Sequence, residues 1–385
     1  RRSDRGIPRG WWIARIRLID TVSGSRLFHV MRNASISETD ILDQLLRRLD
    51  QILPPGWTVS VPGHRLSENT ALRQRPAVLI EVAAPDGSRS LIAVEAKSRL
   101  DPKDVANAVE QARTHGFAPI VIAAPYISPR ARERLIELGA GYADATGNLR
   151  VAVDRPAVLI ELTGAQSSPW RDDRPLRSLK GRSAGRVVRA LCDFKPPYGI
   201  RELAQRARLS AATLTRVVEF LDREAIVERT PRGPVLAVDW SALIHRWAQD
   251  YSLTASNRTA NFIEPRGLTM LVERLRDWRG YCLTGSLAAA PVAPLAPTRL
   301  AVIYVPSITE AAEFLKLRPA DAGANVLLAE PFDPVVFERT RQHDGLTSTA
   351  LSQVAADLLT SPGRGPSEAE ELLEWMARNE DAWRT

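Results

Sequence analysis

Apolar residues along the first 165 positions switch between two periods. Ile41, Leu42, Leu45, Leu46, Leu49 and Leu53 recur at three- and four-residue spacing, behind Ser35-Ile36-Ser37-Glu38, which has the spacing of a capping box. An amphipathic helix is therefore expected there. After Pro54-Pro55-Gly56 the chain turns to short strand-like runs at 57–61, 77–84 and 91–97, the last two joined across the turn-rich Ala84-Pro85-Asp86-Gly87-Ser88. Asp101-Pro102 opens a second helix that runs to about His115 and is closed by Gly116, and "APIVIAA" (118–124) reads as a buried strand. A helix over 128–138 and strands within 141–162 complete an α/β layer with a mixed sheet.

Helical periodicity returns after residue 183. A helix over 184–194 precedes Ile200, Leu203, Ala204 and Ala207 on one helical face, then Leu209 in a turn, Ser210 as an N-cap, and Leu214, Val217, Val218 and Leu221 on the next helix. "IVERTPRGPVLAV" (226–238) reads as two strands around Pro231-Arg232-Gly233. Polar, proline-interrupted segments at 164–182 and 252–268 suggest boundaries, giving three units: 1–165, 170–253 and 265–385. "RPAVLIE" occurs at both 75–81 and 155–161, which two buried strands of similar chemistry explain as well as a duplication does.

Charge sharpens this division. The chain has 385 residues and a formal net charge of +7. Residues 170 to 250 hold 16 Lys plus Arg against 10 Asp plus Glu, nearly the whole excess, so a polyanion is expected to bind there. The apolar run from Tyr281 to Pro297 is broken by Pro291, Pro294 and Pro297, which argues against a membrane span. The basic opening "RRSDRGIPRGWWIAR" lacks the apolar core of a signal peptide, so a cytoplasmic location with no membrane partner is expected. Cys192 and Cys282 stand far apart without a Cys-x-x-Cys, which suggests buried hydrophobes rather than a disulfide or zinc site.

The first unit ends a strand in "VEAK". A two-residue repeat puts Glu95 and Lys97 on one strand face, the placement that a metal-assisted phosphodiesterase needs. With the order helix, strand, hairpin, helix, strand, residues 35–165 resemble the restriction-endonuclease-like fold of PD-(D/E)xK nucleases. The resemblance implies that Glu95 would hold Mg²⁺ and Lys97 would orient or help deprotonate the attacking water. Gln111 matches a glutamine that several relatives carry, and Glu38 could serve as the first helix's acid. The family's metal-bridging Asp is replaced by Ala77 in Arg75-Pro76-Ala77. Glu81 is the nearest replacement ligand, but it lies four residues on, about 13 Å along a strand; Asp86, in the turn, is farther still. In "GAGYADATGNLRV" (139–151), Asp144 and Asn148 fit either a strand–turn–strand or a pair facing the Glu95 cleft.

Residues 183–239 resemble a winged helix-turn-helix of the MarR-like and ArsR-like kind. The free face of its second helix offers Ala211, Ala212, Thr213, Thr215 and Arg216, and Ser210 caps its start. Small residues there permit close approach to the major groove, where Thr can meet a thymine methyl or a phosphate and Arg can bind guanine bidentately. Arg229 and Arg232 near the hairpin tip suit contacts to phosphate or the minor groove.

Residues 281–306, through Thr284-Gly285-Ser286 and a following strand, together with "LLAEPFDP" and the helix over 347–359, resemble the C-terminal domain of AbiEi-type antitoxins, related to nucleotidyltransferases. The strand "RLAVIYV" (299–305) lacks the paired carboxylates of an active transferase, so nucleotidyl transfer is not expected and Gly285-Ser286 reads as a helix cap.

The expected fold class is thus α/β plus α+β and multidomain: a restriction-endonuclease-like mixed sheet, a winged helix-turn-helix, and a small nucleotidyltransferase-like α/β domain. The expected function is sequence-specific binding of double-stranded DNA as a transcriptional regulator, a repressor and homodimer, needing no cofactor and open to a small-molecule effector. Two alternatives stand beside it. One is a Mg²⁺-dependent DNA nuclease of defence or repair, with Glu81, Glu95 and Lys97 as catalytic residues and Glu81 and Glu95 as metal ligands. The other is an antitoxin-like protein that binds a partner protein and its own promoter.

Overall fold

A computed structural model describes residues 14–18, 37–62, 78–170, 178–231 and 233–385. Ser35, Ala77 and Arg232 lie outside the described residues. The chain divides into two compact units, Arg1–Asp173 and Arg174–Thr385. Both are mixed α/β with mixed sheets.

The first unit contains β1 (Ala14–Leu18), α1 (Glu38–Ile52), β2 (Thr58–Ser60), β3 (Val78–Ala83), β4 (Arg89–Ala96), α2 (Val105–Arg113), β5 (Ile120–Ala124), α3 (Pro129–Glu137), β6 (Gly141–Asp144), β7 (Leu149–Val153) and β8 (Val158–Leu162). Its sheet order is β1-β8-β7-β6-β5-β4-β3-β2. Strands β2, β3 and β4 form an antiparallel meander, and β5 and β6 follow parallel to β4 through the crossover helices α2 and α3. Side-chain alternation sorts the two faces. Ile80, Val82, Ile92 and Val94 meet Ile41, Leu45 and Leu49 of α1, whereas Leu79, Ala93 and Ile122 meet Val105, Val109 and Leu135 of α2 and α3. The capping box of α1 is Ser37 with Asp40, two residues beyond the expected Ser35 start: the Asp40 N–H donates to Ser37 Oγ at 3.1 Å and the Ser37 N–H to the Asp40 carboxylate at 3.0 Å.

The second unit begins with α4 (Arg182–Asp193), α5 (Ile200–Arg206), α6 (Ala211–Arg223), β9 (Val227–Arg229), β10 (Val235–Val238), α7 (Trp240–Ala248) and α8 (Leu253–Ser256). It continues through β11 (Arg258–Ile263), α9 (Leu268–Arg276), β12 (Cys282–Thr284), α10 (Gly285–Ala289), β13 (Ala301–Tyr304), α11 (Ile308–Phe314), β14 (Arg318–Pro319), β15 (Val326–Glu330), β16 (Arg341–His343), β17 (Leu346–Ser348), α12 (Leu351–Leu359) and α13 (Gly365–Arg378). Its large sheet runs β14-β11-β15-β13-β12-β17-β16, while β9 and β10 form a separate antiparallel pair. Leu191, Leu214, Val218 and Leu243 share one hydrophobic core with Leu271, Ile303, Val354 and Leu372. Residues 178–251 and 258–378 therefore fold around a common interior.

Buried charge joins α4 to the large sheet's side of this unit. Arg189, with no exposed surface, donates to the Asp193 carboxylate at 3.2 Å, to the carbonyls of Val335 at 3.3 Å and Glu338 at 3.2 Å, and to Gln353 Oε1 at 3.4 Å. Asp193 also accepts from Arg339 at 2.6 Å and from the Ser352 hydroxyl. At the end of α4, Arg384 donates to the carbonyls of Cys192 and Phe194 at 2.8 and 2.9 Å, and the Thr385 N–H donates to that of Asp193 at 2.9 Å. Removing one partner from such a buried network leaves the others uncompensated, at a cost of about 3–5 kcal/mol.

Candidate functional site

Two places gather the side chains singled out in the sequence. The first is the outer surface of α5, α6 and the β9–β10 hairpin. Helix α6 buries Leu214, Val217, Val218 and Leu221. The i, i+3, i+4, i+7 spacing of those four residues leaves Ala211, Ala212, Arg216 and Glu219 exposed on the far side. Ser210 caps the helix, accepting from the Thr213 N–H at 3.2 Å, and its hydroxyl lies 2.9 Å from that of Thr213. The Thr215 hydroxyl donates to the Ala211 carbonyl at 2.9 Å. These three hydroxyls are thus engaged within their own helix.

Arg216 differs from them. It is exposed, with neither an ion pair nor a hydrogen bond among the described residues. Arg229 at the end of β9 is half-buried and also without such a partner, whereas Arg232 lies outside the described residues. Sequence reading missed Arg201, which stands exposed on the first turn of α5 and is likewise unpaired among the described residues. Its signal was available, because the buried Leu203 and Ala204 turn Arg201 to solvent. Several other cations of this unit are spent internally: Arg186 meets Asp333 at 2.8 Å, Arg206 meets Glu202 at 2.7 Å, and Arg246 meets Asp250 at 2.7 Å. Tyr198, between α4 and α5, forms an isolated antiparallel bridge to Val235 of β10, which ties the hairpin to the helices.

The second place is the C-terminal end of β4. Lys97 Nζ donates to Glu95 Oε1 and to Gln111 Oε1, each at 3.0 Å. His115 Nε2 lies 3.9 Å from the other Glu95 oxygen. Gln111 lies in the last turn of α2 (Val105–Arg113) and His115 in the turn just past its end, and both reach the same strand end. His115 is the member that sequence reading passed over. Glu81 is not in this group: it lies opposite Leu91 in the β3–β4 register and pairs with Arg89 at 3.3 Å. Glu38 is on α1, which covers the other face of the sheet. Asp86 is occupied in its turn by the N–H and hydroxyl of Ser88.

A divalent metal would need several oxygen or nitrogen donors converging on Glu95. Among the described residues no three His, Cys, Asp or Glu side chains form such a group, and the Glu95 carboxylate is held by Lys97. The donor set described here does not fit Mg²⁺.

Asp144 and Asn148 form a closed structural knot. The Asp144 carboxylate accepts from the N–H groups of Ile127, Thr146 and Asn148, from the Thr146 hydroxyl and from the Asn148 amide. Asn148 Oδ1 in turn accepts from the buried Arg132 and from the Gly164 N–H. In the second unit, Ser286 donates to Glu368, which Arg364 holds at 2.6 Å, and Gly285 takes a positive φ of 64° where β12 turns into α10. Asp357, fully buried, accepts from Thr284 at 2.6 Å, Tyr251 at 2.7 Å, Gln353 at 2.9 Å and Tyr304 at 2.9 Å. Burial raises its pKa against the pull of those donors.

No protein-family model, no curated protein and no solved structure matches this chain. No helix among the described residues is long and apolar enough to cross a membrane.

Proposed function

We propose that the protein is a sequence-specific DNA-binding regulator whose residues 183–239 act as a winged helix, with α6 entering the major groove and the β9–β10 hairpin following the backbone. The observation that carries this reading is Arg216, exposed on the coreless face of α6 without an acidic partner among the described residues, while cations such as Arg186 and Arg189 are neutralised inside the same unit. An unpaired guanidinium flanked by Ala211 and Ala212 suits close approach to a base edge. Arg201 and Arg229, on the elements to either side, suit phosphate contacts that fix register. The arrangement supports specific binding by Arg216, and non-specific binding by the other two.

In this reading the first unit has kept the helix-and-meander layout of a PD-(D/E)xK nuclease without its metal chemistry. Lys97, itself held by Gln111, occupies Glu95, and the sequence offers Ala77 where that family has an aspartate. DNA binding requires no cofactor.

The test is selection from a labelled genomic DNA library by the full chain, first with EDTA and then with Mg²⁺ or Mn²⁺. Selective retention with intact ends in both conditions is expected. Retention that shows no sequence preference, or metal-dependent ends that disappear in Lys97→Ala, overturns the proposal, and the second result favours the nuclease.

A further inference from the structure

Beside the start of α4 the second unit opens into a cavity of about 760 Å³. Its size lies in the range of small-molecule sites, roughly 300–1,000 Å³. The inner wall is aromatic: Trp247 stacks on Tyr251 at a centroid distance of 4.6 Å, and Phe332 stands 5.6 Å from Tyr251. Hydroxyls of Ser252, Ser256 and Thr360 dot the remainder.

The electrostatics of the lining select a ligand charge. Lys180 and Arg182 are exposed at this cavity and have no acidic partner among the described residues. Asp250, the single acid among the described lining residues, is already engaged by Arg246 at 2.7 Å and by the Leu179 N–H at 2.7 Å. Two uncompensated cations therefore face a cavity with an aromatic floor. The geometry points to a binding site for a small organic anion, an apolar body of one or two rings carrying a carboxylate, sulfonate or phosphate that meets Lys180 and Arg182.

Phe332 links this site to α4. A Cβ on Gly185 would meet the Phe332 ring at 2.8 Å, so the ring that walls the cavity is also packed against the helix that leads into α5 and α6. A ligand that displaces Phe332 acts on α4 directly. Any resulting change in DNA affinity rests on the DNA-binding reading above, whereas binding of the anion does not.

The experiment uses 8-anilino-1-naphthalenesulfonate as the probe, titrated by fluorescence into the full chain. One saturable site is expected, weakened roughly tenfold in the exposed-surface double variant Lys180→Ala/Arg182→Ala and blocked in Ala255→Trp, which fills the mouth from an exposed position. Circular dichroism melts of both variants check that they fold. Absence of a saturable site, or equal binding by all three proteins, overturns the proposal. DNA retention by the wild type with and without saturating probe is read separately. A shift absent from Ala255→Trp supports coupling through Phe332, and no shift overturns the coupling. Loss of DNA binding in every condition, with the probe still bound, would count against the DNA-binding reading alone.

Discussion

Gly185 and Phe332 pack so closely that a single methyl group on the helix has no room: its carbon would stand 2.8 Å from the ring, with Trp247 at 3.4 Å behind it. Gly185→Ala gains about 1 kcal/mol of helix propensity but forces a shift that typically costs about 1–3 kcal/mol in a packed interior. The added carbon would crowd Trp247 as well as the Phe332 ring, which packs against Tyr251, so the loss prevails. Urea denaturation should show a lower midpoint for Gly185→Ala, with partial recovery in Gly185→Ala/Phe332→Leu. An unchanged midpoint in the single variant would contradict this packing.

Asp357 supplies a pH prediction of unusual sign. Burial raises its pKa in the folded state, so over the window from the ordinary carboxylate pKa up to that raised value the folded protein binds more protons than the unfolded one. Its stabilising contribution is fully present below the unfolded pKa and is lost as pH rises through the folded pKa. The wild type should therefore gain stability relative to Asp357→Asn as pH falls from neutral toward about 4. Denaturation of both proteins across that range measures the difference, and a gap that shrinks on acidification would refute the assignment.

Arg216 and Arg201 should separate base contact from phosphate contact. Arg216→Ala is expected to cost roughly 1–3 kcal/mol on the selected sequence and to relax preference at one position. Arg201→Ala should weaken all sequences alike and reduce the slope of log affinity against log salt by about 1. Binding isotherms on matched and mismatched duplexes at several salt concentrations distinguish the two. Equal losses on every duplex for Arg216→Ala would make it a phosphate contact instead.

Asp144 holds the end of β6. Asp144→Ala would leave the N–H groups of Ile127, Thr146 and Asn148 without their acceptor in a buried site, at about 1–3 kcal/mol for each group that water cannot reach. The expected result is destabilisation of the first unit by several kcal/mol, with the melting of the second unit unaffected. Limited proteolysis followed by mass spectrometry reads the two units separately.

Local pattern made much of this legible. The spacing of Leu214, Val217, Val218 and Leu221 gave both the existence of α6 and the face it buries, because a helix of regular period needs only its own sequence to declare its inner side. The pairing of Glu95 with Lys97 followed from strand alternation in the same way. His115 did not, since its arrival beside Glu95 depends on how α2 crosses the sheet. Arg189 is the sharpest failure of local reading. An arginine in an amphipathic helix reads as a surface residue, yet its acceptors, at positions 335, 338 and 353, are contributed by chain far downstream. The common core of residues 178–251 and 258–378 was hidden for the same reason: hydrophobic period says that a face is buried, not against which partner.

The contacts of Arg384 and Thr385 with the end of α4 bear on how the second unit is made. The carbonyls of Cys192, Asp193 and Phe194 receive donors that lie about 190 positions later in the chain. A ribosome adding roughly 5–20 residues per second delivers those donors some ten to forty seconds after α4 emerges. For most of that interval Arg189 has only Asp193 of its own helix as an acceptor, because those at 335, 338 and 353 follow it by 146, 149 and 164 positions. The second unit thus has high contact order by construction, and its nascent form passes through a stage in which the helices proposed to read DNA exist before the body that steadies them.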